Sequence, residues 1–525
     1  MAAIPVQTPT PGSKSTIHYV YKDPTSKKWT TEYPSELGKP IENAESAQHA
    51  VIARYKSSLR PEKHIELDSI VVQSPILRKI LTRVLDGYTG ITLELDRLEF
   101  EAPFTCFVHR WGRMEDLREE LVAGGHANLG FEGTEESERV IEHLNLLYTI
   151  LQEELGSVLQ KTRDFIKHGV ISFDLIWVLF EPGCLVYTKK GGHDRVYKLK
   201  SAEFDNANQR GKYKLQVQHV DFDGEQFGLM AGNLVIKRFP GTKKIAKLDP
   251  AYPLEFYKDL PDLKKRLIER GRKFEALKGF HFVAYDGMAL APEKKGVSAK
   301  YMVNDRIIID GESFALYKTK ITVEGLELPA DPEDIEANIA EGEESEEDCV
   351  VLENKDSQSS KHEIGKVPII HSDSKSALTE QQLLLATHRV RGYSPRDKQW
   401  LRFDIDAIKD IIWDSLAFKS LVAPPDQKDL ILAFAESQAK HRGHFDDFIQ
   451  GKGKGIIMLL CGPPGVGKTL TAEGVAEAMK VPLISIGATD LGSKPADLEK
   501  SLNGILEMCS KWNAGMSHYA LRLPI

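Results

Sequence analysis

One short stretch of the sequence combines the residue types and the spacing of a phosphate-binding loop. Residues 462 to 469, GPPGVGKT, match the pattern G-x-x-x-x-G-K-[ST] in full. The glycines allow a tight turn with inward-pointing backbone N–H groups, where a Cβ would block the approach of a phosphate. Lys468 supplies a positive charge for the β- and γ-phosphates, and Thr469 supplies a hydroxyl for Mg²⁺. The pattern therefore predicts a nucleotide site that uses Mg²⁺.

Two elements have to hold this loop, and the sequence predicts both. The apolar run at residues 456 to 460 predicts a buried strand directly before the loop. After the loop, Leu470, Val475, Ala476 and Met479 follow helical spacing, so the positive N-terminal end of a helix is expected to face the phosphates. Strand, glycine-rich turn and helix in this order are the context that the motif requires. A structural turn without a ligand is the alternative.

The stretch GPPGVGKTLTAEGVAE resembles the AAA+ ATPases, in which GPPGxGKT is followed by a T-x-x-A helix. The preceding segment GYSPRDKQWLRFDIDAIKDIIWDSLAF and the upstream segments SPILRKIL, LEFEAPFTCFVHRW and GVISFDLIW are similar to AAA+ proteins found mainly in filamentous fungi. Those proteins carry an uncharacterised α+β domain before the ATPase. The resemblance covers most of residues 64 to 512.

The resemblance implies ATP and Mg²⁺ as ligands of this chain. It assigns the nucleotide contacts to Gly462, Pro463, Pro464, Gly465, Val466, Gly467, Lys468, Thr469 and Leu470. It assigns the metal to Thr469 and places the segment from Asp446 to Ile449 near the adenine. The implied activity is ATP hydrolysis that drives the remodelling of protein or protein–nucleic-acid assemblies.

The resemblance is incomplete near the end of the sequence. VPLISIGATDLG is similar to the second strand of an AAA+ core, and KPADLEKSLNGILEMCSKWNA is similar to its second helix. The family continues with an apolar strand and an Asp-Glu pair, whereas this chain continues with GMSHYALRLPI, and Glu507 is its last acidic residue. Hydrolysis needs carboxylates at the metal and beside the attacking water. We therefore interpret the ATPase core as truncated, assign no catalytic residue and expect no ATP turnover by this chain alone.

The missing part also affects the expected sheet and assembly. The strand order of an AAA+ core is 5-1-4-3-2, so the strands at residues 456 to 460 and 483 to 486 are expected to lack neighbours and to expose their edges. The family forms hexamers in which a neighbouring subunit donates an arginine finger. Because this chain lacks that segment, a homo-hexamer is expected of the family but not of this chain by itself.

Upstream of the loop, residues 64 to 318 are predicted to form an α+β domain. HIELDSIVV alternates like a strand, and SPILRKILTRVLDG begins with Ser74 as a helix N-cap. GVISFDLIWVLF predicts a buried strand, and a hairpin is predicted to turn at Asp223 and Gly224. The predicted fold is therefore an α+β N-terminal domain followed by an incomplete α/β P-loop NTPase (AAA+) core.

Two segments are predicted to be poorly ordered. Residues 1 to 63 show no sustained periodicity apart from the strand candidate TIHYVY. Residues 319 to 391 are predicted to be a linker, because residues 331 to 348 hold ten acidic side chains and no Lys or Arg. An acidic tether for a basic partner is the alternative. The ATPase core then spans residues 392 to 525.

Two features of the upstream domain allow a functional and a structural interpretation. Asp221 and Asp223 lie near His219, which suggests a metal or acid/base site, but turn chemistry explains aspartates beside a hairpin turn more simply. The basic run from Lys264 to Lys273 is flanked by leucines at helical spacing and has no aromatic residues between its charges. It is therefore predicted to be the solvated face of a helix, and a nucleic-acid partner is not expected.

The composition limits the remaining classes. A hydrophobic fraction of 41% and a charged fraction of 28% over 525 residues are typical of several globular domains. The sequence has no run of 18 apolar residues and no signal peptide, so we expect a cytoplasmic or nuclear protein without a membrane partner. The five scattered cysteines predict no structural zinc. A non-catalytic interaction or regulatory protein, which binds an unknown protein partner through residues 64 to 318, is the alternative to the ATP-driven remodeller.

Overall fold

The computed structural model describes most of the chain outside the acidic segment. The described residues are 14–22, 29–31, 48–57, 65–95, 97–123, 134–205, 211–292, 298–318, 321–326, 378–414, 416–441, 458–463, 465–487 and 495–519. The chain divides into a first unit, Met1–His219 with Ala231–Asp262, and a second unit, Val220–Met230 with Leu263–Ile525. The acidic stretch at residues 331 to 348, predicted to be a linker, lies outside the described residues.

The first unit begins with a five-stranded sheet in the order β2-β1-β3-β4-β5. Its strands are Lys14–Lys22 (β1), Trp29–Thr30 (β2), His49–Ser57 (β3), Ile65–Val72 (β4) and Leu98–Glu101 (β5). Strand β3 is parallel to β1 and antiparallel to β4, and its residues Ala50 to Ala53 are fully buried. Strand β1 contains the strand candidate TIHYVY, whereas the prediction that the rest of residues 1 to 63 is poorly ordered is wrong for β2 and β3. Strand β3 is stabilised by pairing on both edges, which local periodicity does not reveal.

Helices cover this first sheet and share its core. They are Pro75–Val84 (α1), Thr105–His109 (α2), Trp111–Val122 (α3) and Thr134–Lys167 (α4). The predicted N-cap is confirmed, since Ser74 Oγ accepts a hydrogen bond from the backbone N–H of Leu77. Apolar residues of α4 at spacings of three and four, among them Val140, Leu144, Leu147 and Leu151, are buried in the core shared with the sheet.

A second sheet of the first unit is a meander of antiparallel strands. The strands are Val170–Ser172 (β6), Leu185–Lys190 (β7), His193–Asp205 (β8), Lys212–Phe222 (β9), Phe227–Lys237 (β10), Thr242–Lys244 (β11) and Ala251–Pro253 (β12). The order is β12-β7-β8-β9-β10, and β6 pairs with β11 separately. The hairpin predicted at Asp223 and Gly224 is confirmed.

The apolar run predicted to be one buried strand is only partly extended. After β6, residues Phe173–Leu179 form a 3₁₀-helix. Phe173, Ile176 and Leu179 are its buried residues, and their spacing of three is the period of that helix. A mostly apolar run fits a buried strand and a buried 3₁₀ turn equally well, so the prediction of a strand is wrong for residues 173 to 179.

The second unit is built on a five-stranded antiparallel sheet in the order β14-β16-β17-β13-β18. Its strands are Phe280–Leu290 (β13), Lys300–Asp310 (β14), Arg389–Ser394 (β16), Gln399–Asp404 (β17) and Ile408–Lys409 (β18). Because β13 pairs with both β14 and β17, the four long strands close on themselves. We call this arrangement the closed sheet. A short strand, Glu324–Gly325 (β15), pairs with the tip of β10.

The closed sheet corrects the predicted domain boundaries. Strands β13 and β14 come from before the acidic stretch, and β16 to β18 come from after it. The boundary predicted at residue 392 falls inside β16, which pairs with β14 at Ile308–Tyr393. Composition marks where an acidic segment lies, but it does not show that the chain on either side of that segment forms one sheet.

The remaining α-helices of the described residues lie mainly in the second unit. They are Leu260–Ala276 (α5), Gly311–Tyr317 (α6), Glu380–Leu384 (α7), Pro425–His441 (α8), Lys468–Met479 (α9) and Pro495–Trp512 (α10). Helix α5 buries Leu263, Leu267 and Phe274, which confirms that the basic run lies on a helix. None of the helices in the described ranges is both long and apolar enough to cross a membrane.

Candidate functional site

The glycine-rich loop leads directly into α9. Gly462, Gly465 and Gly467 have φ angles of 150°, 86° and 88°, in the region that glycine adopts without strain. A Cβ on Gly462 would lie 2.9 Å from Cγ2 of Val466. The glycines at the predicted spacing therefore allow the turn between the preceding chain and the helix. Pro464, also predicted to contact the nucleotide, lies outside the described residues.

The predicted charged residue lies against the loop. Lys468 Nζ donates hydrogen bonds to the carbonyl oxygens of Gly462 at 2.9 Å and Pro463 at 2.8 Å. These bonds hold the ammonium group beside the turn and at the N-terminal end of α9. Thr469 and Leu470, in the first turn of α9, are exposed. The structure thus brings together a positive charge, a helix N-terminus and an exposed hydroxyl, which are the groups that an anion and its metal require.

The strand predicted before the loop is absent from its described part. Met458, Leu459 and Leu460 are not in a strand, and Leu459 is 85% exposed. A strand is stabilised by neighbouring strands, and none of the strands in the described residues pairs with this segment. The rest of the predicted strand, residues 456 and 457, and the predicted adenine segment from Asp446 to Ile449 lie outside the described residues.

The elements after α9 match the prediction in type but not in pairing. Leu483–Gly487 (β19) is the predicted strand, and α10 is the predicted second helix. Strand β19 was expected to have no neighbour, but it pairs in parallel with Gly515–Tyr519 (β20), in the register Leu483 to Gly515. A parallel pair needs a crossover, and α10 supplies it. The expectation of two unpaired strands is therefore wrong for β19.

A polar network that sequence reasoning missed holds the far end of α9. Both carboxylate oxygens of Glu477 accept hydrogen bonds from the guanidinium group of Arg306 on β14, and the bond to Oε1 is 2.8 Å long. Glu477 Oε1 also accepts a bond of 2.6 Å from the backbone N–H of Asp414. These hydrogen bonds lower the pKa of Glu477, the one from Arg306 having the largest effect. No local pattern could reveal a pair that is 171 positions apart.

An aromatic cluster joins α10 to the closed sheet. Trp512 is 1% exposed, and its ring centroid lies 5.5 Å from that of Tyr393 and 5.8 Å from that of Trp400. Its Nε1 donates a hydrogen bond of 2.7 Å to Asp310 Oδ2, at the end of β14. Ile484 of β19 belongs to the same core. The β19-α10-β20 segment and the closed sheet therefore share one hydrophobic core.

The aspartates near the hairpin turn have structural partners. Asp223 Oδ1 accepts hydrogen bonds from the backbone N–H groups of Glu225 and Gln226, which is the turn chemistry favoured above. Asp221 is buried and forms two hydrogen bonds with the guanidinium group of Arg391, at 2.7 and 2.9 Å. Turn chemistry and a buried ion pair therefore account for the two carboxylates.

Two family models match parts of the chain. Residues 458–516 match the ATPase family associated with various cellular activities (AAA), and residues 161–258 match a domain of unknown function, DUF7025. No curated protein and no solved structure matches the chain. The first match includes the loop, α9, β19, α10 and the start of β20. It shows that this segment is similar to the AAA ATPases, a family that in general binds ATP. The second match states no activity.

Proposed function

We propose that the loop of this chain binds ATP together with Mg²⁺. The observation that carries the proposal is the contact of Lys468 with a turn of positive-φ glycines at the N-terminal end of α9, inside the AAA match. The proposed contact residues are Gly462, Pro463, Pro464, Gly465, Val466, Gly467, Lys468, Thr469 and Leu470. In this arrangement backbone N–H groups and the ammonium group face the phosphates, and the Thr469 hydroxyl faces the metal.

We further infer that residues 1 to 525 bind ATP without hydrolysing it. Glu507 is the last acidic residue of the sequence, and its carboxylate accepts a hydrogen bond of 3.0 Å from Tyr317. Residues 508 to 525 hold no acidic side chain that could orient a water molecule at the γ-phosphate. Through its resemblance to AAA+ proteins, the chain is proposed to contribute ATP binding to the remodelling of protein or protein–nucleic-acid assemblies.

One observation favours the alternative of a non-catalytic regulatory protein. Trp512 anchors the β19-α10-β20 segment to the closed sheet, and the Arg306–Glu477 pair anchors α9, which carries the loop, to the same sheet. A loop placed in this way can report nucleotide occupancy to the unit that carries it without turning ATP over. In this alternative an unknown protein partner binds the N-terminal part of the chain.

A binding experiment with matched variants tests the ATP site. Lys468→Ala is expected to weaken the binding of Mg-ATP by about 10- to 100-fold, because a hydrogen bond to a charged group contributes roughly 1.5–3 kcal/mol. Lys480→Asn removes the same charge at the C-terminal end of the same helix and is expected to bind like the wild type, since Asn tolerates the positive φ of this position. Equilibrium dialysis with labelled ATP measures both.

The same preparations separate the two parts of the proposal. Equal affinities of the two lysine variants would contradict the assignment of the loop. Release of inorganic phosphate by the wild type, abolished in Lys468→Ala, would instead show that this chain hydrolyses ATP and that our inference of binding alone is wrong. Thr469→Ala is expected to lose most of the Mg²⁺ dependence of binding, because it removes the hydroxyl assigned to the metal.

A further inference from the structure

We propose that Arg306, on the closed sheet, is a positioning residue for the nucleotide loop, acting through Glu477 on α9. This inference rests on the proposed ATP site. Among the described residues, the partners of the Arg306 guanidinium group are Glu477, Ile412 and Trp413, none of which belongs to the loop. This guanidinium group contacts the helix at the end opposite to Lys468, and the helix carries that contact to the loop.

The contact is rigid because both partners are held from several sides. Arg306 donates to both carboxylate oxygens of Glu477, and it also donates to the carbonyl oxygen of Ile412 at 3.2 Å. Its guanidinium carbon lies 4.5 Å from the ring centroid of Trp413. A planar guanidinium fork with two parallel bonds restricts orientation as well as distance. Arg306 therefore fixes the direction in which the C-terminal end of α9 can point.

The segment between the closed sheet and α8 belongs to the same network. The backbone N–H of Asp414 donates to Glu477, and the ring of Trp413 packs between Arg306 and Phe282, whose ring centroid is 6.0 Å away. Arg306 lies opposite Ala284 in the β13–β14 pair. The contact is thus anchored in paired strands and not in a loop.

Helix α9 also contacts α8 and β19, but its buried residues are small. Its buried residues are Gly474 and Ala476, and Gly474 lies against Phe418 and Leu421. Small residues permit a close approach of the backbone but bury little apolar area. The first turn is exposed, including Leu470 at 53%. The orientation of the helix therefore depends strongly on the ion pair near its C-terminal end.

The geometry of the helix shows how a small tilt would reach the loop. Glu477 lies nine positions after Lys468, which corresponds to about 14 Å at about 1.5 Å per residue. A tilt of about 4° at the far end would then move the first turn by about 1 Å. A binding constellation has to be held within about 0.5 Å of its productive geometry. Loss of the contact is therefore expected to misplace the N–H groups of α9 relative to Gly462.

The charge of Arg306 also protects the last turn of α9. Glu477 lies two residues before the end of the helix, where the negative end of the helix dipole disfavours a carboxylate. A guanidinium group bound to that carboxylate removes the repulsion. Without it, the last turn would carry an unpaired negative charge at its unfavourable end.

The test compares Arg306→Ala with a control at matched exposure. The side chain of Arg306 is 30% exposed and that of its partner Glu477 is 12% exposed. The control is an ion pair within the closed sheet, in which Arg389 is 24% exposed and Asp404 is 12% exposed. Arg306→Ala is expected to raise the Kd for Mg-ATP about tenfold and to speed amide hydrogen exchange in α9. Arg389→Ala is expected to change neither.

Two conservative variants distinguish positioning from a general loss of stability. Arg306→Lys keeps the charge but loses the two-pronged contact, so its Kd is expected to lie between those of the wild type and Arg306→Ala. Glu477→Gln keeps the shape of the side chain and an oxygen that can accept the hydrogen bond from the backbone N–H of Asp414. This variant is expected to fold normally and to bind ATP more weakly than the wild type. It provides the test if Arg306→Ala does not fold.

The outcomes separate this inference from the proposed function. If the wild type binds ATP and Arg306→Ala and Glu477→Gln bind it equally well, Arg306 is not a positioning residue, and the proposed function stands. Equal weakening by Arg306→Ala and Arg389→Ala would also overturn the inference, because it would indicate a general effect of the sheet. If the wild type binds no ATP, the proposed function fails and the inference fails with it.

Discussion

Replacing Trp512 tests whether the AAA-matched segment and the closed sheet share one core. The indole is 1% exposed, contacts two aromatic rings of the closed sheet and donates a hydrogen bond to Asp310. Truncating a buried Trp to Ala costs roughly 3–5 kcal/mol in unfolding free energy. Loss of the hydrogen bond to a carboxylate adds about 1 kcal/mol, since Asp310 keeps its bonds from Ser313. We expect Trp512→Ala to lower the unfolding free energy by about 5 kcal/mol.

Trp512→Phe separates packing from hydrogen bonding. The phenyl ring keeps most of the aromatic contacts but has no N–H donor, so an expected loss of about 1–2 kcal/mol reports mainly the bond to Asp310. Urea unfolding followed by circular dichroism measures the free energy of the transition that includes the second unit.

Leu506→Ala is the matched control on the same helix. Leu506 is 44% exposed, so its truncation is expected to change the unfolding free energy by no more than about 0.5 kcal/mol. If Trp512→Ala and Leu506→Ala had the same transition midpoint and slope, α10 would not be anchored in the core, and our account of how the loop is attached to the closed sheet would be wrong.

Two further predictions concern pH and thiol reactivity. Hydrogen bonds, that from Arg306 above all, lower the pKa of Glu477 in the folded protein below its ordinary value of 4.5. The stabilisation by the Arg306 contact is therefore present above pH 4.5, and it is lost as the pH falls through the pKa of Glu477 in the folded protein. The difference in unfolding free energy between wild type and Glu477→Gln, measured by urea unfolding, should therefore shrink below about pH 4.5; a constant difference would contradict the contact. Burial raises the pKa of the Cys509 thiol to about 11, whereas Cys461 is exposed beside the loop. In a Cys349→Ser background a maleimide should label Cys461 in the native protein and Cys509 only after unfolding, and Mg-ATP should slow the labelling of Cys461.

The features that could be predicted from the sequence are those encoded within a few neighbouring residues. Glycines at fixed positions allow the turn of the loop, and Lys468 lies on it because it directly follows Gly467. Ser74 caps α1 because a hydroxyl at that position reaches the third backbone N–H. The turn at Asp223 depends on hydrogen bonds from the backbone N–H groups two and three positions later, at Glu225 and Gln226.

The features that could not be predicted depend on partners far away in the sequence. Strand β20 is extended because β19 lies beside it, and nothing in GMSHY alone requires a strand. Arg306 and Glu477 each look like an ordinary charged surface residue, and only the fold brings them together. The closed sheet joins β14 and β16 across the acidic segment, so its core could not be recognised from the composition of either side.

The order of strands in the closed sheet has a consequence for synthesis on the ribosome. Strand β14 leaves the ribosome about 80 residues before β16, which at 5–20 residues per second is a delay of roughly 4–16 s. During this interval the edge of β14, with its run Ile307 to Ile309, has no strand β16 to pair with. Unpaired apolar edges are sites of aggregation. The ten acidic residues of the stretch from 331 to 348 emerge in the same interval, so the nascent chain gains charge that favours solubility while its sheet edge is open.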